Sequence, residues 1–340
     1  MKKVIVLSLI ISLIAAAAVF AGGGTQQAGG KQRHAIVFKS TGNPYGERQM
    51  GGFKQGIEEQ GFEAILRAPD LPNAEPQIQM IEQLVAQRVN SICIVGNDYD
   101  ALQPVLTKAM NQGIKIYSLD SSVNPKSRMT HVNQADTQKI GETLVEAAFD
   151  MAGGSGDIAI LSATSQASNQ NAWIAVMQET LKQSKYANLK LVKIAYGDDL
   201  RDKSTSETQG LIASFPNLKV IIAPTTVGIA AAAKVVTDQN LVGKVKITGL
   251  GLPSEMADYI NNNACPYMFL WNPIDVGYLG SYVATALTSG KITGKAGDSF
   301  SAGKLGNYTI VQAPDGGTEV LLGPPFKFDP ANINDWKSVY

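Results

Sequence analysis

DIAILSATSQASNQNAW, Asp157 to Trp173, is a short apolar run that breaks into a polar, amide-rich turn just ahead of a helical pattern. Ile158, Ala159, Ile160 and Leu161 read as a buried parallel strand, preceded by Gly153, Gly154 and Gly156 and followed by a Ser/Thr cluster. Ser168, Asn169, Gln170 and Asn171 then fall at the carboxyl end of a strand and the amino end of the next helix, where a doubly wound sheet opens its ligand crevice. A helix cap accounts for any one of them. It does not account for four in a row followed by Trp173. Amides donate and accept at once, and an indole can cover an apolar ring face, which is the chemistry a neutral polyhydroxylated ligand needs.

Outward from this stretch, strand and helix patterns alternate in both directions. Upstream, strands are expected at 34–40, 62–68, 91–96, 115–120 and 129–133, with helices at 45–60, 74–87, 100–112 and 137–152 between and after them. Downstream, a helix to 183 is followed by strands at 190–196, 220–224, 246–250 and 267–271, alternating with helices at 203–214, 228–239, 254–262 and 275–289. Short Val/Ile-rich runs alternating with amphipathic stretches mean parallel sheets with right-handed crossovers. The fold class is therefore α/β, with two similar doubly wound halves and a cleft between them into which strand ends point from both sides.

The chain of 340 residues has room for two domains, and 44% hydrophobic against 17% charged residues supplies ample core. Lys plus Arg equals Asp plus Glu at 29 each. Without a basic footprint, neither nucleic acid nor an anionic membrane surface is the expected partner. Lys2 and Lys3, the apolar run Val4 to Ala18 and the A-x-A-like site ending at Ala21 read as a signal peptide over 1–21, cleaved near Ala21. The run is shorter than the roughly 20 residues a spanning helix needs, so a protein exported to the periplasm is expected. No Cys stands at the cleavage site to carry a lipid, and residues 22–33 read as a flexible Gly/Gln linker. Cys93 and Cys265 lie in apolar strand-like runs and are expected as two buried free thiols. Two His in total argue against a zinc site.

The strand ends supply the candidate binding residues. They are Lys39, Ser40 and Asn43; Asn97 and Asp98; Asp120; Gln134 and Asp136; Asn169 and Gln170 with Trp173; Pro224 and Thr226; and Trp271 with Asn272. Each has an ordinary alternative, a cap for the Asn and Asp residues, a solvated charge for Lys39, a core position for Trp271. One polar cluster after nearly every strand is nevertheless what a sugar site requires, because each hydroxyl both donates and accepts. No catalytic motif appears: there is no G-x-S-x-G, no P-loop and no G-x-G-x-x-G after the first strand, and Gly51-Gly52 lies inside a helix pattern. His34 and His131 sit in strand contexts and read as structural.

LSATSQASNQNAW, AYGDD, VIIAPTTVGIAAAAKV, ITGLG, LWNPIDVGYL and the late LLGPPF together resemble the type I periplasmic binding proteins of ABC importers. Within that family they are similar to the rhamnose-binding branch, near the autoinducer-2 receptors, and the resemblance covers about Ala35 to Phe328. It implies two lobes crossed by a three-strand hinge, an N-terminal lobe of 34–134 plus 272–302 and a C-terminal lobe of 135–271 plus 303–340. It places Lys39, Asp120, Asn169, Gln170, Pro224 and Thr226 where autoinducer-2 receptors contact their ligand. Those receptors have a carboxylate where this chain has Asn169 and an Ala where it has Thr226. An amide removes a charge, and Thr226 narrows and repolarises the site, so the resemblance points to a neutral deoxyhexose such as L-rhamnose, with other aldoses or autoinducer-2 as alternatives. It implies a monomeric receptor without cofactor, not an enzyme, whose closed form is met by a membrane permease and, in a further reading, by a chemoreceptor.

Two rival classes make different demands. A sugar-active enzyme needs a paired acid and base, for which Asp120 with Asp136 is the available nomination. A regulator's effector domain shares the fold but needs a DNA-binding helix-turn-helix ahead of it, where this chain has the signal and linker.

Overall fold

Apolar residues on successive positions of a strand point to opposite faces, so a strand that is apolar throughout must be covered on both sides. The computed structural model, which describes residues 31–340, shows this in its first sheet. Strands β1 (Arg33–Val37), β2 (Glu63–Arg67), β3 (Ser91–Ile94), β4 (Lys115–Leu119) and β5 (His131–Asn133) run parallel in the order 2-1-3-4-5. Ala35, Val37, Ile92, Ile94 and Ile116 pack to one side against Ile81, Leu84, Leu102 and Leu106. Ile36, Cys93, Tyr117 and Leu119 pack to the other against Phe53, Ile57 and Leu279. A second sheet repeats the winding: β6 (Gly156–Ser162), β7 (Leu189–Tyr196), β8 (Leu218–Ala223) and β9 (Lys246–Gly249) run parallel in the order 7-6-8-9. In both sheets the winding reverses beside the first strand, which is where such folds bind ligands.

The C-terminal strands correct one expected boundary. Following β10 (Met268–Leu270), β11 (Ser299–Ser301) and β12 (Asn307–Thr309), strands β13 (Val311–Gln312) and β14 (Thr318–Leu321) join the first sheet, with β14 parallel to β5 at Glu319↔His131 and Leu321↔Asn133. The stretch 303–321 therefore belongs with the first lobe, not the second. Only β15 (Phe326–Phe328), antiparallel to β10, and the residues after it return to the second. The Arg128 guanidinium, 1% exposed, clamps this hairpin through Asp315 at 2.5 Å. The three crossings fall at about 134–136, 271–272 and 322–325. The expected signal peptide lies outside the described residues, as does most of the expected linker. Among the described residues, no helix is long and apolar enough to cross a membrane.

Gly52 and Gly56 of the helix Pro44–Glu59 have a packing role. A Cβ on Gly52 would collide with the Ile274 carbonyl, one on Gly56 with the Ser281 hydroxyl, and one on Gly277 with the Gln49 carbonyl. The helix Pro273–Thr288 thus lies directly on Pro44–Glu59 across bare backbone, fixing the chain's return from the second crossing. Cys93 and Cys265 are free and buried, and burial pushes both thiols far above their ordinary pKa.

Candidate functional site

Each of the four polar residues of the opening stretch takes its own partners. The helix they begin runs Ser168–Thr180 with Ala167 at its cap position, so none of them is the capping side chain. Ser168 Oγ donates to the Ser122 carbonyl at 2.8 Å. Asn169 Nδ2 donates to Asp120 Oδ1 at 2.7 Å, and Asn171 Nδ2 to the Ser165 carbonyl at 2.9 Å. Gln170 Oε1 accepts from Ser162 Oγ at 2.7 Å and Ala163 N at 2.8 Å, which holds the end of β6. Two of these bonds join the lobes.

Asp120 follows β4 with φ of 63°. A non-glycine residue held in the left-handed region costs of order 1–3 kcal/mol, and such strain concentrates at functional sites. The carboxylate is ringed by donors: Tyr45 Oη, Gln49 Nε2 at 3.2 Å and Asn169 Nδ2. Tyr45 Oη in turn accepts from Trp271 Nε1 at 2.7 Å. Burial first, and then the Asp120 charge, raise the Tyr45 hydroxyl well above its ordinary pKa, so it stays a protonated donor. Lys39 Nζ reaches Asn169 Oδ1 at 3.5 Å, and the same oxygen accepts from Gln170 N at 2.8 Å.

These groups surround a cavity between the lobes. Of the candidate residues, Lys39, Asn43, Asp120, Asn169, Gln170, Trp173, Pro224, Thr226 and Trp271 line it. Both Trp173 and Trp271 take part, their ring centroids 5.9 Å apart at 58°. Asn43 also caps its helix, accepting from Tyr45 N at 3.0 Å.

Six expected residues lie off the cavity, for reasons the contacts give. Ser40 is buried beside Lys39, just past the bend that follows β1, and does not line the cavity. Asn97 braces loops, its Nδ2 donating to the Lys39 and Asn73 carbonyls at 2.8 and 3.0 Å. Asp98 closes a turn on Asp100 N and Ala101 N. Asp136 caps the helix Thr137–Ala152 through Lys139 N, and Asn272 caps Pro273–Thr288 through Ile274 N. Gln134 is wholly buried in the first crossing. The nominated acid–base pair is thus not assembled: Asp136 is occupied as a cap away from the cavity.

The cavity also contains residues the strand-end reading passed over, Phe38, Tyr45, Leu250 and Leu270 and on the polar side Asp199, together with Thr225, which stands in the strand end Pro224-Thr225-Thr226. Asp199 follows β7 in the Gly197-Asp198-Asp199 turn, and reading that strand end like the others would have found it. Thr225 Oγ1 donates to Asp199 Oδ1. Burial raises the Asp199 pKa, against the pull of Lys39 and the Thr225 hydroxyl and with the push of Asp120 and Asp198. Among the described residues there is no group of three or more His, Cys, Asp or Glu arranged for a metal ion.

Residues 34–292 match the family described as periplasmic binding protein domain. An ABC transporter solute-binding protein from Clostridium phytofermentas, solved with bound L-rhamnose, is 50% identical, covers 92% of this chain and 99% of its own, and superposes with a TM-score of 0.90. LsrB from Clostridium saccharobutylicum in complex with AI-2 shares the fold at 22% identity, covering 89% and 99%, with a TM-score of 0.84. The D-ribose/D-allose-binding protein of Pseudomonas aeruginosa is 23% identical over 231 residues, 64% of this chain and 70% of that protein.

Proposed function

The chain belongs to the periplasmic binding protein family, and on that premise we propose that it is the exported sugar receptor of an ABC importer, holding L-rhamnose between its lobes for delivery to a membrane permease. The observation that carries this is the 50% identity over nearly the whole chain with a solute-binding protein that holds L-rhamnose. The cavity chemistry supports it. Asp120 offers acceptor oxygens, Asn169 and Gln170 offer amides, Lys39 offers a donor, and Trp173 and Trp271 supply aromatic surface for C–H faces. Phe38, Leu250 and Leu270 add apolar wall, which suits a methyl-bearing deoxy sugar better than a fully hydroxylated one.

The receptor works by differential contact. A ligand that bonds to groups of both lobes at once favours the closed arrangement by whatever it gains there over the open one. The permease then meets the closed form. No step breaks a covalent bond in the ligand.

Calorimetry and thermal shift on the chain stripped of copurified ligand test this, against L-rhamnose, other neutral pentoses and hexoses, and autoinducer-2 with and without borate. At a thousandfold excess over Kd a ligand stabilises by about 4 kcal/mol. L-Rhamnose is expected to give the largest shift. A response to autoinducer-2 without one to L-rhamnose would overturn the reading in favour of signal uptake.

A further inference from the structure

Asp199 is the one acidic cavity residue with a carboxylate oxygen that no protein group occupies. Asp198 and Asp199 are consecutive non-glycine residues with φ of 54° each, so the backbone turns sharply after β7. Their side chains then separate. Asp198 pairs with exposed Lys203, whereas Asp199 lines the cavity. Thr225 anchors it from β8's end: its hydroxyl donates to Asp199 Oδ1 and accepts from Gly228 N at 3.4 Å, so the helix Thr226–Asp238 fixes the donor. Oδ2 has no protein donor among the described residues. Asp120 is the opposite case, with donors on both oxygens already supplied by Tyr45, Gln49 and Asn169. A partly buried carboxylate oxygen without a donor is costly unless something fills it, and the cavity's ligand is positioned to do so.

The charge balance points the same way. The cavity wall carries Asp120 on the first lobe and Asp199 on the second against the single cation Lys39. A ligand bearing a carboxylate or phosphate would meet a net negative wall, while a neutral sugar brings hydroxyl donors to it.

We propose that Asp199 is a specificity residue: it accepts a hydroxyl of the bound sugar through Oδ2 and excludes anionic sugars from the cavity. This rests on the sugar-receptor reading above.

The test compares the wild-type chain with Asp199→Asn by titration calorimetry against L-rhamnose and D-galacturonate. Asparagine keeps the shape and the Thr225 bond while removing the charge. Losing one charge-assisted hydrogen bond should weaken L-rhamnose roughly ten- to a hundredfold, and D-galacturonate should become measurable where the wild type shows none. If D199N binds L-rhamnose like wild type and merely melts lower, Asp199 only locks its turn and the proposal fails. Binding of D-galacturonate by the wild type would overturn it equally. If D199N does not fold, Thr225→Val serves: it frees the carboxylate while keeping its charge, so L-rhamnose should weaken and D-galacturonate should stay excluded. Admission of D-galacturonate by T225V would refute the charge argument. Should the wild type prefer another neutral sugar, the L-rhamnose assignment falls, and the same comparison made with that sugar still decides the role of Asp199.

Discussion

Asn169→Asp places a carboxylate where this chain keeps an amide, and the distances say which effect wins. Asn169 stands between charges, with Lys39 Nζ at 3.5 Å from Oδ1 and Asp120 Oδ1 at 2.7 Å from Nδ2. With those distances as charge separations and an effective dielectric near 20, the new carboxylate is repelled by Asp120 by ~6 kcal/mol and attracted by Lys39 by ~5 kcal/mol. The charges nearly cancel. What remains is the lost hydrogen bond to a charged acceptor, worth about 1.5–3 kcal/mol. The closed arrangement should therefore lose ~3 kcal/mol, on the order of a hundredfold in L-rhamnose affinity. Asn169→Ala removes the bond without adding charge and should fall between the two. Like-charge proximity raises a carboxyl pKa, so N169D should regain affinity on acidification, when the protonated side chain can again donate to Asp120. Calorimetry with L-rhamnose at neutral and mildly acidic pH reads both effects. Wild-type affinity for N169D at neutral pH would refute the role given to the Asp120–Asn169 bond.

Three further outcomes are expected. Trp173 and Trp271 line the cavity, whereas Trp336 packs against Phe328 and Tyr340 in the C-terminal aromatic cluster. Sugar should therefore shift the intrinsic fluorescence of the wild type and leave that of Trp173→Phe/Trp271→Phe unmoved, and a surviving response would place the ligand elsewhere. Gly277→Ala drives a methyl into the Gln49 carbonyl; overpacking of this kind costs about 1–3 kcal/mol, so the melting midpoint should drop, and an unchanged midpoint would mean the two helices are not in backbone contact. Finally, burial lowers the pKa of His34 to about 4 and of His131 to about 3, with Arg128 adding to the second. Both side chains stay neutral in the folded chain while the unfolded chain takes up protons below about pH 6.5, so stability is full above that pH and falls on acidification. Denaturant unfolding should show a loss on the order of 2 kcal/mol per histidine between pH 7.5 and 5, and replacing both by Asn should flatten that dependence.

What was legible beforehand follows from the range of the interactions involved. The helix Thr137–Ala152 was expected with the limits it has, because both ends are set locally: Asp136 caps the start through Lys139 N, and Gly153 adopts φ of 68° at the end. The parallel strands were legible for a similar reason, since a run covered on both faces is apolar throughout. The hairpin Val311–Leu321 was not. Its strands are short, Val311 is 42% exposed, and β14 pairs with β5 across nearly the whole second lobe of sequence. The same limit divides the site residues. Asn, Asp or Thr after a strand is equally suited to cap a helix or to face a ligand. Only the fold shows that Asp136 and Asn272 cap helices and Asp98 closes a turn, that Asp120 and Asn169 line the cavity, and that Asn43 both caps and lines. Gly52 lies inside a helix pattern, and only the fold shows that another helix's backbone rests on it.

The arrangement of polar residues ties selectivity to closure. Asp120 bonds within its own lobe through Tyr45 and Gln49 and across the cavity through Asn169, while Trp271, at the second crossing, bonds back to Tyr45. Ser168 adds a bond to the Ser122 carbonyl. The groups that would read the sugar are therefore the groups that hold the lobes together. At about 1.5–3 kcal/mol for each bond to a charged partner and about 1 kcal/mol for each neutral one, these contacts supply part of the closing free energy before any ligand is counted. A ligand that keeps them and adds its own contacts to Asp199 and Lys39 is selected twice, by fit and by closure. One that displaces Asn169 from Asp120 must repay that bond first, and its apparent affinity falls by the population of the closed form it gives up. Discrimination among sugars of equal size should accordingly show itself as differences in how far the lobes close.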